Sequence, residues 1–143
     1  MIGKFNPLNI RTSAHYTWNG QVGSTRGFCD FSGVEFCRRA GAYLLMRSYQ
    51  RAGIIHLDDV IKRWAPPTEN CTNAYVDFVC KQTEFGPRTL LVFDSYFAAV
   101  LAEMEIFEQG VPASHRANYY ATAKASYLFI INNFNIKRYE AKS

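Results

Sequence analysis

Apolar residues recur every three or four positions along most of the chain after residue 33, and this period predicts amphipathic helices. Glycine and proline interrupt the period at several places, and helices are expected to end there. Ser32 is a candidate N-cap for the first of these helices. The pattern predicts helices from Gly33 or Val34 to Gly53, over 57–64, from Asn70 or Thr72 to about Thr83, at about 88–109 and at about 113–134.

Residues 1–33 lack a helical period and are rich in glycine, asparagine, serine and aromatic residues. This composition predicts irregular chain with short strands and a hairpin around Trp18, Asn19 and Gly20. No internal repeat or linker interrupts the remainder. The predicted fold class is therefore mainly α, a single α+β domain over residues 1–143 with a small N-terminal β or irregular element.

The composition describes a globular and mildly basic domain. The chain has 143 residues, of which 48% are hydrophobic and 15% aromatic, and this argues against disorder. Its net charge of +4 favours contact with nucleic acid, anionic membrane or cell-wall polymers, although an ordinary solvated surface explains it equally well. Basic residues also lie beside aromatics, where they form either a nucleic-acid contact or a solvated helix face: Arg38, Arg39, Arg47 and Arg51.

The cysteine and histidine spacings argue against metal and cofactor chemistry. No C-x-x-C pair, nucleophile elbow or phosphate-binding loop is present, and the three histidines are scattered. We therefore expect no metal site and no cofactor. A Cys/His nucleophile pair stays open, although papain-like signatures are absent. Apolar surroundings favour reduced core thiols at Cys29, Cys37 and Cys80. With Cys71 the chain has four cysteines, and this even count leaves disulfides open.

The predicted helix at about 88–109 carries a carboxylate on its apolar stripe. At 100° per residue, Glu108 continues the stripe of Leu101 and Met104, whereas Glu103 lies well away from it and Glu105 lies at its edge. In an apolar pocket, burial would raise the pKa of such a carboxyl and suit it to donate a proton. The alternative is a side chain that reaches solvent at the helix end.

Two further segments carry residues that suit sugar binding. The string R-W-A-P-P-T-E-N-C-T-N-A-Y, from Arg63 to Tyr75, combines a double-proline turn with aromatic, carboxylate and amide side chains. The string F-N-P-L-N-I-R, from Phe5 to Arg11, predicts a turn at Asn-Pro. A plain helix boundary and an N-terminal lead-in are the respective alternatives.

Together with W-N-G, G-F-C-D-F and F-E-Q-G-V-P, these strings resemble a family of phage and prophage proteins. Its members are virion structural or lytic-transglycosylase-like proteins of the lysozyme superfamily. The resemblance covers nearly the whole chain to about residue 125, and R-W-A-P-P-x-E-N is its most specific part. It implies a lysozyme-like fold, with a circularly permuted arrangement as one alternative because the helix bearing Glu108 comes last. Leu8 and Gln109 depart from the family's usual glycine and asparagine.

The resemblance implies cleavage of peptidoglycan glycan strands by a lytic transglycosylase or muramidase. Glu108 would be the catalytic acid, and Glu69 the candidate second carboxylate. The rival interpretation is a non-catalytic phage structural or glycan-binding protein, and a DNA-associated accessory protein is a third. The residues expected to bind substrate are Asn6, Asn9, Arg11, Trp64, Glu69, Asn70 and Tyr75.

The expected partners are bacterial peptidoglycan and components of a virion or secretion machine, with no specific nucleic acid. The sequence begins without a signal-peptide pattern, and no apolar run approaches the roughly 20 residues that span a bilayer. We therefore expect no membrane span. Synthesis in the bacterial cytoplasm would be followed by delivery through a virion, a holin-type pore or a secretion machine, with action at the cell wall, in the periplasm or in the virion.

Overall fold

The computed structural model describes residues 1–68 and 71–140, within which the chain is mainly helical with a small antiparallel sheet near the N-terminus. This confirms the predicted mainly α fold class with a small N-terminal β element. The strands are β1 (Gln21–Thr25) and β2 (Phe28–Phe31). The helices are α1 (Val34–Tyr43), a π-helical segment (Leu44–Ser48), α2 (Tyr49–Arg51), α3 (Leu57–Trp64), α4 (Thr72–Thr83), α5 (Asp94–Gln109) and α6 (Ala113–Asn133).

The β hairpin turns at Arg26 and Gly27, so the hairpin predicted around Trp18–Gly20 is wrong. Both turn residues have positive φ, 52° and 82°, and such turns match the twist of two antiparallel strands. The earlier turn leads into β1, where the Gln21 N–H donates a hydrogen bond to the Trp18 carbonyl at 3.0 Å. Trp18 in that turn packs against Tyr43 of α1, and the chain before it pairs with β2 through an isolated antiparallel bridge between Arg11 and Phe28.

The long first helix begins at Val34 and reaches Arg51 through the π-helical segment, close to its predicted bounds. Its N-cap is Gly33, in an extended conformation, and no side chain caps it. The predicted Ser32 cap is wrong because that residue precedes the cap position, where its N–H donates to the Gly20 carbonyl at 2.8 Å.

The C-terminal segment after α6 docks on the π-helical segment. The Tyr139 N–H donates to the Met46 carbonyl at 2.8 Å, and the Arg51 guanidinium lies 5.6 Å from the centre of the Tyr139 ring. A π turn inserts an extra residue and is common where a helix serves a special contact. Here it gives the chain end a backbone acceptor.

Helix α5 begins at Asp94, later than the predicted start near residue 88. The preceding residues are extended, because their backbone groups form hydrogen bonds with the backbone around the start of α3. The Leu57 N–H donates to the Thr89 carbonyl and the Leu91 N–H to the Ile55 carbonyl, both at 3.0 Å. The helical period of the sequence is thus overridden by tertiary pairing.

Helix α5 is the centre of the hydrophobic core, and α1, α4 and α6 pack against it. Every residue from Phe97 to Ile106 is buried. Glu103, away from the apolar stripe of Leu101 and Met104, and Glu105, at its edge, are therefore buried as well. A helix with neighbours on several sides has no single apolar stripe.

Glu105 forms a buried ion pair that sequence reasoning missed. Its carboxylate accepts hydrogen bonds from Arg38 Nε at 2.9 Å and Nη2 at 3.0 Å. The hydroxyls of Tyr119 and Tyr127 donate to it at 2.7 and 2.5 Å. Arg38 is therefore not part of a solvated basic face, and the network joins α1, α5 and α6 because a buried charge needs such partners.

The four cysteines are free thiols, with Cys29 and Cys37 buried, which agrees with the favoured interpretation. Within residues 1–68 and 71–140, no helix is both long and apolar enough to cross a membrane. Over the same ranges, no three His, Cys, Asp or Glu side chains group as metal ligands.

Candidate active site

The loop that contains Asn-Pro is held against the C-terminal end of α5 by two side-chain hydrogen bonds. Asn9 Nδ2 donates to Glu108 Oε1 at 3.0 Å, across 99 residues of sequence. Gln109 Nε2 donates to the Pro7 carbonyl at 2.7 Å. Asn9 adopts a positive φ of 54°, which asparagine tolerates better than most residues. The local backbone thus aims an amide at the proposed acid.

Asn6 builds this loop from inside the core, so its predicted place as a sugar ligand is wrong. The side chain is fully buried. Its amide donates to the carbonyls of Ile10 and Cys29 and accepts the Ile10 N–H, all at 2.9 Å. With the Cys37 thiol also against Oδ1 at 3.3 Å, the amide has no group left for a ligand.

Leu8 stands where the resemblance leads one to expect a glycine, and its surroundings suit a leucine. Leu8 is fully buried, and the positive φ of the loop falls at Asn9. Its side chain packs on Gly41 of α1, where an added Cβ would lie 2.4 Å from Leu8 Cδ1. The leucine therefore anchors the loop by packing.

Tyr75 of α4 reaches Glu108 from the other side. Its ring stacks on Phe107 with centroids 4.1 Å apart. Burial raises the pKa of its hydroxyl well above the ordinary value, and the neighbouring negative charge of Glu108 raises it further. Within the described part of the chain, this buried hydroxyl makes no hydrogen bond of good geometry. Tyr75 is only 2% exposed, so its predicted place as a substrate ligand is wrong, and its contact is with Glu108.

Glu108 itself is half-buried, so it lies neither in open water nor in a sealed apolar pocket. The carboxyl whose pKa is raised by burial is Glu103 on the same helix. Its pKa rises to about 7, and the positive charge of Arg116 only partly opposes the rise. The environment expected for Glu108 thus belongs to Glu103, which is 5% exposed.

A cavity of about 260 Å³ adjoins the Asn9 side of this arrangement. We call it the Trp64 cavity. Three residues predicted to bind substrate share its wall, namely Asn9, Arg11 and Trp64. The lining consists of Asn9, Ile10, Arg11, Tyr16, Leu44, Tyr49, Arg63 and Trp64.

Polar groups continue from the Trp64 cavity to Glu108. Burial raises the pKa of the Tyr49 hydroxyl, and the charge of Arg63 opposes that rise. Tyr49 in turn contributes to the raised pKa of Tyr75, after burial and Glu108. The Tyr49 hydroxyl is thus close enough to interact electrostatically with the Arg63 guanidinium and with the Tyr75 hydroxyl, which neighbours Glu108.

No acidic side chain lines the Trp64 cavity among the residues that the structure describes. The Arg11 guanidinium lies 4.7 Å from the centre of the Phe28 ring. Arginine and aromatic side chains together suit a ligand that has both flat faces and negative charge.

No protein-family model matches the chain. Over 109 residues it is 32% identical to Protein P5 of Pseudoalteromonas phage PM2, an alignment that covers 73% of this chain and 68% of that protein. The chain belongs to the P5 family. Because that relative is a phage protein, the comparison agrees with the predicted phage association.

Two predicted site residues of this P5-family chain, Glu69 and Asn70, lie outside the described residues, and their roles stay predictions. Beside them, Thr72 holds the double-proline turn onto α4, since its hydroxyl donates to the Ala65 carbonyl at 2.6 Å. Helix α4 begins at Thr72, one of its two predicted starts, and its N-cap is Cys71 without a side-chain capping bond.

Sequence reasoning missed Tyr16, Tyr49 and Arg63 as wall residues of the Trp64 cavity. Arg63 is the first residue of the R-W-A-P-P-T-E-N string, and its place in that string could have indicated a role at the site. Tyr49 follows the π-helical segment, which rotates it relative to a regular helix, and no sequence pattern reports such a rotation.

Proposed function

We propose that this chain binds glycan strands of bacterial peptidoglycan as a phage or prophage protein, and cleaves them with Glu108 as general acid. The observation that carries the proposal is the meeting of Glu108, Asn9 and Tyr75, from three distant parts of the chain, beside the Trp64 cavity. Such convergence of polar groups at a concave surface is typical of a catalytic site.

In this reaction one Glu108 oxygen is held by the Asn9 amide, and the other carries the proton. The carboxyl protonates the glycosidic oxygen as the bond to the anomeric carbon breaks. The carboxylate then takes a proton from the C6 hydroxyl of the same sugar, whose oxygen bonds to that carbon. The product is a 1,6-anhydro end, and this lytic transglycosylase route needs only one carboxylate.

A muramidase is the hydrolytic form of the same proposal. A second carboxylate would then activate water or stabilise the charge that develops on the sugar. Glu69, in the double-proline turn, is the candidate for that role. Anhydro and reducing product ends differ by one water molecule in mass, so product analysis separates the two routes.

The test compares Glu108→Gln with wild type on purified peptidoglycan sacculi, with soluble fragments measured by mass spectrometry. We expect release to fall by about 10² or more, the usual size of a general-acid contribution. Glu84→Gln is the matched control, because Glu84 is an exposed carboxyl after α4. Equal release by wild type and Glu108→Gln would refute the catalytic assignment.

The second candidate is a non-catalytic phage protein that keeps the cleft for glycan binding. It is favoured by the hydrogen bonds that already occupy the site, since Asn9 bonds to Glu108 and Gln109 bonds to Pro7. If wild type binds sacculi from Gram-negative and Gram-positive walls and releases no fragment, this function replaces cleavage.

A further inference from the structure

A second cavity, of about 210 Å³, lies on the face formed by α1 and the loop before β1. We call it the Trp18 cavity. None of its lining residues belongs to the arrangement around Glu108. The lining consists of Thr17, Trp18, Asn19, Phe36, Arg39, Ala40 and Tyr43.

This cavity depends on a close approach of backbone to ring at Gly20. Gly20 has a φ of 79°, and an added Cβ would lie 2.2 Å from the Phe36 ring. Only glycine permits both the conformation and the contact. The turn therefore presses on α1 and leaves Trp18 half-buried at the mouth, with its ring 6.0 Å from that of Tyr43.

The Trp18 and Trp64 cavities are neighbours, and we call the two together the groove. The Tyr16 ring lines the Trp64 cavity and lies 5.1 Å from the Trp18 ring. Tyr43 and Leu44 are consecutive residues where α1 meets the π-helical segment, and each lines a different one of the two cavities. An aromatic series thus leads from the Trp18 cavity to the wall that contains Asn9.

The groove has positive charge at both ends and room for flat rings. The Arg39 guanidinium lies 5.1 Å from the centre of the Phe134 ring, and neither Arg39 nor Arg63 forms an ion pair within the described ranges. No carboxylate lines either cavity in that part of the chain. A ligand with rings and sparse negative charge complements this surface.

An acidic glycan fits these features better than single-stranded nucleic acid does. A nucleic acid carries a phosphate at every unit, and its bases stack on parallel aromatic faces. Here the neighbouring rings are nearly perpendicular, at 80° and 69°.

We propose that the Trp18 cavity is a second saccharide subsite for a carboxylate-bearing sugar, such as one with a lactyl ether. Trp18 and Tyr43 contact the sugar ring, and Arg39 binds the carboxylate. The strand then continues along Tyr16 into the Trp64 cavity, and in this respect the proposal rests on the proposed function. The ligand is consequently a strand of several sugars.

The two tryptophans of the chain give each cavity its own fluorescent reporter, since Trp18 and Trp64 are the only ones. The chain with Trp64→Phe and Glu108→Gln reports from Trp18 alone and does not consume the ligand. It is titrated with peptide-free glycan strands of at least six sugars. We expect saturable change in Trp18 emission, and an approximately tenfold weaker dissociation constant after Arg39→Gln.

Two controls make the result specific. Arg26→Gln removes the same charge from the exposed hairpin turn, and it should change the dissociation constant by less than about twofold because surface charge acts weakly. An uncharged chitin hexamer should bind with an affinity that Arg39→Gln does not change. Equal effects of Arg39→Gln and Arg26→Gln, or a silent Trp18, would overturn the subsite.

Oligothymidine is titrated in parallel. Tighter Arg39-dependent binding of oligothymidine than of glycan would assign the groove to nucleic acid and overturn the proposal. Fragment release from sacculi, measured on the chain with intact Glu108, is independent of these titrations. A Trp18 response without release keeps the subsite and removes cleavage, whereas release without a Trp18 response removes the subsite alone.

Discussion

Replacement of Glu103 by glutamine should make the protein more stable at alkaline pH and change its stability little at acidic pH. Glu103 is 5% exposed, and its Oε2 has no hydrogen-bond partner within the described residues. Its pKa rises from 4.5 to about 7 because burial penalises the charged form, with Arg116 in partial opposition. The folded protein thus holds this proton more tightly than the unfolded chain does.

The sign follows from proton linkage. Below pH 4.5 both states carry the proton, and the stability is full. As the pH rises through the unfolded value toward about 7, the unfolded chain releases its proton first and stability is lost. One pKa unit corresponds to about 1.4 kcal/mol, so a rise from 4.5 to about 7 should cost about 3 kcal/mol before the loss levels off.

Urea unfolding at pH 4.5 and 8.5 measures this loss for wild type, Glu103→Gln and the exposed control Glu84→Gln. We expect the free energy of unfolding of Glu103→Gln to exceed that of wild type by about 3 kcal/mol at pH 8.5, with a much smaller gap at pH 4.5. The control should follow wild type. If the free energies of unfolding of wild type and Glu103→Gln change equally between the two pH values, the Glu103 carboxyl is solvated.

Two further substitutions test the loop and the site. Asn6→Ala removes three buried hydrogen bonds and should lower the free energy of unfolding by about 2 to 4 kcal/mol in urea titration; a loss below 1 kcal/mol would contradict a structural role. Tyr75→Phe removes a buried hydroxyl without a well-formed hydrogen bond. It should change stability by less than about 1 kcal/mol while reducing fragment release, and unchanged release would exclude Tyr75 from the reaction.

Residues that begin or end helices through local effects made several helices predictable. The bounds of α3 follow from Asp58 in its first turn and Pro66 after its end. The break between α5 and α6 was equally local, because Gly110 adopts the positive φ of 59° that ends helices. The start of α5 was not predictable, since Thr89 and Leu91 form backbone hydrogen bonds with distant residues.

The candidate site was predictable in part. The resemblance named Asn9, Tyr75 and Glu108, and the structure brings these three together, although the roles of Asn9 in binding and of Glu108 in cleavage stay predictions. It also named Asn6, whose side chain the core encloses. Composition cannot separate these two asparagines, because both sit in the same short string and only the fold decides which one faces the cavity.

The sequence by itself determined the helical class, the N-terminal β element and most helix ends, because periodicity and chain-breaking residues act over a few positions. Only the tertiary structure decided the state of the three glutamates on α5. Glu103 is buried without a full set of partners, Glu105 is buried in an ion pair, and Glu108 is half-buried against Asn9. Desolvation and hydrogen-bond partners come from other helices and loops, so the residues that neighbour a carboxyl in sequence do not set its chemistry.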